Sequence, residues 1–124
     1  LASDKTYFLL GDNNVTAIAP VNIGTSTNQR IQRIWMTQEK DADAGELFFA
    51  ADLTAYNNKT YNTTEDMVML VADDATFTTN VIVVNPTSSN ASKWVFNQNV
   101  ADGKFITFAK FSPCAALITS PPLN

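Results

Sequence analysis

RIQRIWMTQEK, residues 30–40, sets two arginines, a tryptophan and a glutamate into a run of strand-forming residues. At the period of two of an extended chain, Ile31, Arg33, Trp35, Thr37 and Glu39 share one face, and Gln32, Ile34, Met36 and Gln38 share the other. Neither face is purely polar, which suits a central strand. In that role Trp35 fills the core, and Arg33 lays its stem over it while pairing with an acidic neighbour. The same face also suits a sugar or peptide site, with Trp35 as a stacking platform and Arg33 and Glu39 as polar anchors.

Working outward, similar runs recur at KTYFLL (5–10), GELFFAADL (45–53), MVMLVAD (67–73), NVIVVN (80–85), KWVFNQN (93–99) and GKFITFAKF (103–111), with a weaker one over 15–21. They are separated by GDNN (11–14), DADAG (41–45), YNNKTYNTTED (56–66), DDATF (73–77), NPTSSNAS (85–92) and ADG (101–103). In those clusters Gly and Asn supply left-handed backbone and Asp makes local turns. No long helical stripe interrupts the series. The fold class is therefore all-β: a two-sheet antiparallel sandwich of immunoglobulin-like or jelly-roll type, with roughly seven or eight strands. In the third run Leu47, Phe49, Ala51 and Leu53 are expected to face the core, against Glu46, Phe48, Ala50 and Asp52.

The 124 residues suit a single domain spanning 1–124, long enough to bury a core without metal or disulfide staples. A net charge of -4 offers no basic patch for nucleic acid. The apolar runs fall well short of the roughly 20 residues of a membrane span. No histidine is present, which removes the usual general base near neutral pH and the commonest transition-metal ligand. Cys114 stands alone, so no intrachain disulfide forms, and it reads as an inert thiol. Serine-hydrolase chemistry lacks its histidine, and no phosphate-binding glycine loop occurs. No acid has an aromatic-walled setting that would raise its pKa for glycosidase work. The chain is expected not to be an enzyme and to need no cofactor.

Abundant Asn, Thr, Ser and Ala with few lysines suit a secreted or cell-surface protein. A signal peptide is expected to have been removed or to lie outside this stretch, since Leu1 opens no charged and apolar leader. N-x-S/T triplets at Asn14, Asn58, Asn62 and Asn90 are no more than chance gives in such a composition. DADAGELFFAAD (41–52) mimics the front of a calcium loop, but Gly45 stands where a ligand should be, and it reads as a solvated turn. Asp73 and Asp74, with Asp102, are candidates for an oxygen site between loops, against a plain Asx turn.

The ordered succession YFLLGDNN, RIQRIWMTQE, GELFFAADL, MVMLVADDATF and VADGKFITFAKF resembles a β-sandwich module of large secreted proteins of Bacteroidota and other bacteria. That pattern has a GDN start and an Arg-x-Trp-x-x-x-Glu strand, matched by Arg33, Trp35 and Glu39. A strand ending in Asp-Leu follows, then an apolar strand running into an Asp-rich turn, and an Asp-Gly-x-Phe-x-Thr-Phe close. The likeness spans roughly residues 7 to 111. It implies a non-catalytic extracellular module of adhesin-like proteins, with structural roles for Arg33, Trp35 and Glu39. The chain departs from the pattern at KDADAG and in the tail CAALITSPPLN (114–124).

Two apolar segments near the ends, Tyr7, Phe8, Leu9 and Leu10 in the first strand and Leu117 and Ile118 in the tail, are candidates for assembly. Both termini are expected to be tied down, inside the domain or by a neighbouring chain. One subunit donating a strand to the next would give a homopolymer; a neighbouring module of a larger surface protein is the other expected partner. An alternative is a carbohydrate-binding module, with Tyr56, Tyr61 and Trp94 as stacking rings for glycans.

Overall fold

A computed structural model describes residues 7–26, 28–40, 43–57, 63 and 67–110. Tyr61, Cys114, Leu117 and Ile118 lie outside these residues. The strands are β1 (Tyr7–Asp12), β2 (Val21–Asn22), β3 (Gln29–Arg30), β4 (Trp35–Lys40), β5 (Leu47–Asp52), β6 (Met67–Ala72), β7 (Ile82–Val84), β8 (Ser88–Asn90), β9 (Lys93–Gln98) and β10 (Phe105–Lys110). A single 3-10 turn, Thr54–Tyr56, follows β5 among the described residues.

Two antiparallel sheets form a sandwich, one of seven strands and one of three. In the larger sheet β10 is central. It pairs along one side with β6, which pairs in turn with β7. Along its other side it pairs with β3 and β4 end to end, and these carry β2 and β1 on their far side. The smaller sheet runs β5-β9-β8.

The run 30–40 is thus split. Arg30 and Trp35 lie five residues apart in sequence, while their partners Ala109 and Ile106 lie three apart. The strand therefore carries two extra residues, a bulge that breaks the ladder between β3 and β4. An even insertion preserves the period of two, so the facing read from sequence survives it. Ile31 and Thr37 are buried and Trp35 packs on the core, whereas Met36 is half exposed on the other side. Thr107, fully buried on β10, spans the gap: its hydroxyl lies 2.7 Å from the Arg33 carbonyl and 3.3 Å from that of Ile31. The Ile31 amide donates to the Phe108 carbonyl, so the bulge leaves these inner groups satisfied.

The inter-sheet core is built by Ile31, Phe49, Ala51, Leu53, Met67, Met69, Val71, Trp94, Phe96, Ile106 and Phe108, among others. Leu47, the remaining member of the expected core face of β5, is partly buried against it. Trp35 meets Phe108 edge-on, with centroids 5.5 Å apart, and Phe8 meets Phe49 at 5.8 Å. β6 is buried on both faces because a second cluster covers the outside of the larger sheet. There Phe77, in the loop after β6, and Ile23, between β2 and β3, lie over Val68, Leu70, Ala72 and Ala109. Phe77 holds a left-handed backbone, φ 58°, to turn its ring inward, a conformation uncommon for a bulky residue. The Arg30 guanidinium sits 5.4 Å from that ring centroid.

Two local expectations are corrected. Of the weak strand over 15–21, only Val21 enters a strand. NPTSSNAS was expected as loop, yet Ser88–Asn90 forms the short edge strand β8, joined to β9 by a two-residue turn that opens at Ala91 with φ 55°. Its three side chains are exposed, so no hydrophobic alternation marked it.

Candidate groove at the edge of the small sheet

The larger sheet is five strand positions broad and the smaller only three, so the described strands of the smaller sheet leave part of the inner face of the larger one without a facing strand. Phe8 against Phe49 places β5 beneath the β1 side of the sandwich. Among the described residues β5 pairs only with β9, leaving its outer edge free. Along that edge lies a groove of about 620 Å³. Every residue from Phe48 to Leu53 lines it, so it follows the edge of the strand rather than one face. Leu10, Thr16, Ile18, Arg33, Trp35 and Tyr56 form other parts of the wall, with Ile106 and Phe108 completing the apolar lining.

The residues singled out by sequence fall into three groups. Arg33 and Trp35 line the groove, but Arg33 is already engaged. Its Nε–H donates to the Val15 carbonyl at 3.0 Å, and its Nη1 lies 3.5 Å from an Asp12 carboxylate oxygen. It fastens the segment after β1 to the bulged strand, and Asp12 is its acidic neighbour. Glu39 lies outside this groove and holds the next turn: its Oε2 accepts from the Ala44 amide at 2.8 Å, and its own amide donates to Asp102 at 2.8 Å. The combined anchor of Arg33 and Glu39 for a sugar is therefore corrected, since one strand length and separate bonding partners divide them.

Asp12 of GDNN thus pairs with Arg33, and Asp102 of ADG with the Glu39 amide, two separate braces across large sequence separations. Asn13 joins them, its Oδ1 accepting from the Ile34 amide and its Nδ2 donating to the Gln32 carbonyl. Thr37 does the same at the other end: its hydroxyl donates to the Ala101 carbonyl and accepts from the Lys104 amide. These polar residues are cross-braces between loops and strand.

Of the candidate stacking rings, Tyr56 is half-buried and lines the groove. Trp94 is only 6% exposed in the middle strand of the small sheet, and its indole N–H donates to the Thr63 carbonyl at 2.8 Å. Its ring is unavailable for stacking, which corrects that assignment. Sequence placed it near a loop, but β8 pairs beside it and makes β9 central. Along β1, Tyr7, Leu9 and Leu10 are 42–50% exposed while Phe8 turns inward. Phe48, missed by sequence reading, is 72% exposed on the outer face of β5. The available signal was a phenylalanine on the face otherwise carrying Glu46, Ala50 and Asp52.

The loop acids serve as backbone acceptors. Asp74 takes the amides of Thr78 and Thr79 and the hydroxyls of Thr76 and Thr78. Those bonds, the Thr76 hydroxyl foremost, hold its carboxyl well below the usual range. Asp73 is lowered by the Asn80 amide and then by Lys104. Asp102 is spent on Glu39, so the three acids do not converge, and among the described residues no cluster of three His, Cys, Asp or Glu side chains is arranged to hold a metal. Asp43 and Asp52 are lowered too, the first mainly by the Gly45 amide and the second mainly by the Thr54 hydroxyl. These shifts keep the acids ionised, the opposite of what a general acid needs.

Residues 1–106 match the family described as Domain of unknown function (DUF8202). The chain belongs to that family. Neither the curated proteins nor the solved structures give a match to it. In this DUF8202 domain no described helix is long and apolar enough to cross a membrane.

Proposed function

We propose that this DUF8202 domain is a non-catalytic, extracellular structural or adhesive module of a bacterial surface protein, joined to copies of itself by strand donation. The observation that carries this reading is an apolar strand edge, unpaired among the described residues, beside an open groove. Natural sheets guard free edges with charge, proline or short length. Here β1 presents Tyr7, Leu9 and Leu10, and β5 presents Phe48 and Ala50. The bonding of Arg33, Glu39 and Asp102 supports a structural role for the polar positions, as does the use of the loop carboxylates as turn acceptors.

Removal of residues 115–124 is the test, read by sedimentation and negative-stain electron microscopy of the purified protein. The expected result is a folded monomer where the full chain polymerises. Polymers that survive the truncation overturn strand donation. A carbohydrate-binding module is the second reading, favoured by Trp35 and Tyr56 on one groove. It predicts that Tyr56→Ala abolishes retention on a polysaccharide to which the parent chain binds.

A further inference from the structure

We infer that the groove is the acceptor for a fourth strand of the small sheet, bonded to the free edge of β5 and supplied by residues 114–118 of a neighbouring copy; this rests on the strand-donation reading. Consecutive residues of β5 line the groove, so its long axis runs beside the edge of that strand that pairs with no other strand among the described residues. A strand laid there continues the sheet. Its length is fixed by β5, which has six residues.

The segment CAALI fits in length and chemistry. Pro113 precedes it and Pro121 follows shortly after, and proline at both sides confines strand pairing to the stretch between. Extended as a strand, the segment would set Cys114, Ala116 and Ile118 on one face and Ala115 and Leu117 on the other. Both faces are apolar, which suits a strand covered on both sides. One would pack into the groove against Trp35, Ile106 and Phe108. The other would lie beside Phe48 and Ala50 and cover the ring of Phe48, which is 72% exposed. The segment carries no charge, and the groove's cation, Arg33, already has Asp12 beside it.

Cys114 supplies the probe. Phe48→Cys, Ala50→Cys and Asp52→Cys, made one at a time in the full chain, place a second thiol along the β5 edge at exposed positions. Mild oxidation is expected to give a ladder of disulfide-linked chains from at least one variant. The ladder should vanish when Cys114→Ser is added, and should not appear with Ser89→Cys on β8. Circular dichroism checks that each variant is folded. Polymers without a ladder would overturn the β5 acceptor while leaving strand donation intact. A disulfide closed within single chains would show that the segment fills its own sandwich and overturn supply by a neighbour. Monomers that form no disulfide would overturn both the acceptor and the strand-donation reading.

Discussion

Thr107→Val removes one hydroxyl from the centre of the larger sheet and keeps the shape of the side chain. In the native fold that hydroxyl faces two carbonyls, of Arg33 at 2.7 Å and Ile31 at 3.3 Å, in the gap where β3 and β4 fail to meet. Thr107 is fully buried, so water cannot replace it without opening the sheet. Leaving a buried acceptor unsatisfied costs about 1–3 kcal/mol. Unfolding entropy scales as about 2.1 cal/mol/K per residue, so each kcal/mol should lower the Tm of a domain this size by about 4 °C. The expected loss is about 4–12 °C by circular dichroism, with a matching fall in urea midpoint at unchanged m-value. A variant within about 0.5 kcal/mol of the parent would refute the role of Thr107 in bridging the bulge.

Other outcomes follow from the same contacts. Trp94→Phe should cost about 1–3 kcal/mol in urea unfolding, because the Thr63 carbonyl loses its donor at a buried site. Trp35→Ala should destabilise by more than Arg33→Ala, since the ring packs on Phe108, while the partly exposed Arg33–Asp12 pair is worth at most about 1 kcal/mol. Asp43, Asp52, Asp73 and Asp74 have folded pKa values below the ordinary carboxylate value of about 3.9. The unfolded chain therefore binds more protons in that window, so their stabilisation is full above about pH 4 and is lost as pH falls through the folded values. A Tm profile against pH should decline below pH 4, and less steeply in Asp74→Asn; equal slopes would count against the Asp74 turn as a stabilising unit.

The outlines of this arrangement were legible in particular residues. Alternation in GELFFAADL placed Phe49, Ala51 and Leu53 inward, and alternation in RIQRIWMTQE placed Ile31, Trp35 and Thr37 together, because side-chain facing depends only on the period of the extended chain. The turn clusters bounded most strands, since Asn, Asp and Gly act through local backbone geometry. A sandwich followed from those two signals. The groove was less legible. Tyr56 and Trp35 drew notice as aromatics and alternation set Phe48 outward, but nothing local showed that Trp94 is buried in the middle of the small sheet.

What the sequence determined by itself was therefore the strand class, the turns and the inward faces. Tertiary structure decided the bulge at 31–34, the separation of Arg33 from Glu39, the burial of Trp94 beside β8 and the edge of β5 that no described strand pairs. Each depends on which strand lies beside which, and pairings such as Ile31 with Phe108 or Glu39 with Asp102 join residues more than sixty positions apart. Periodicity fixes where a side chain points; only the assembled sheets fix what it meets.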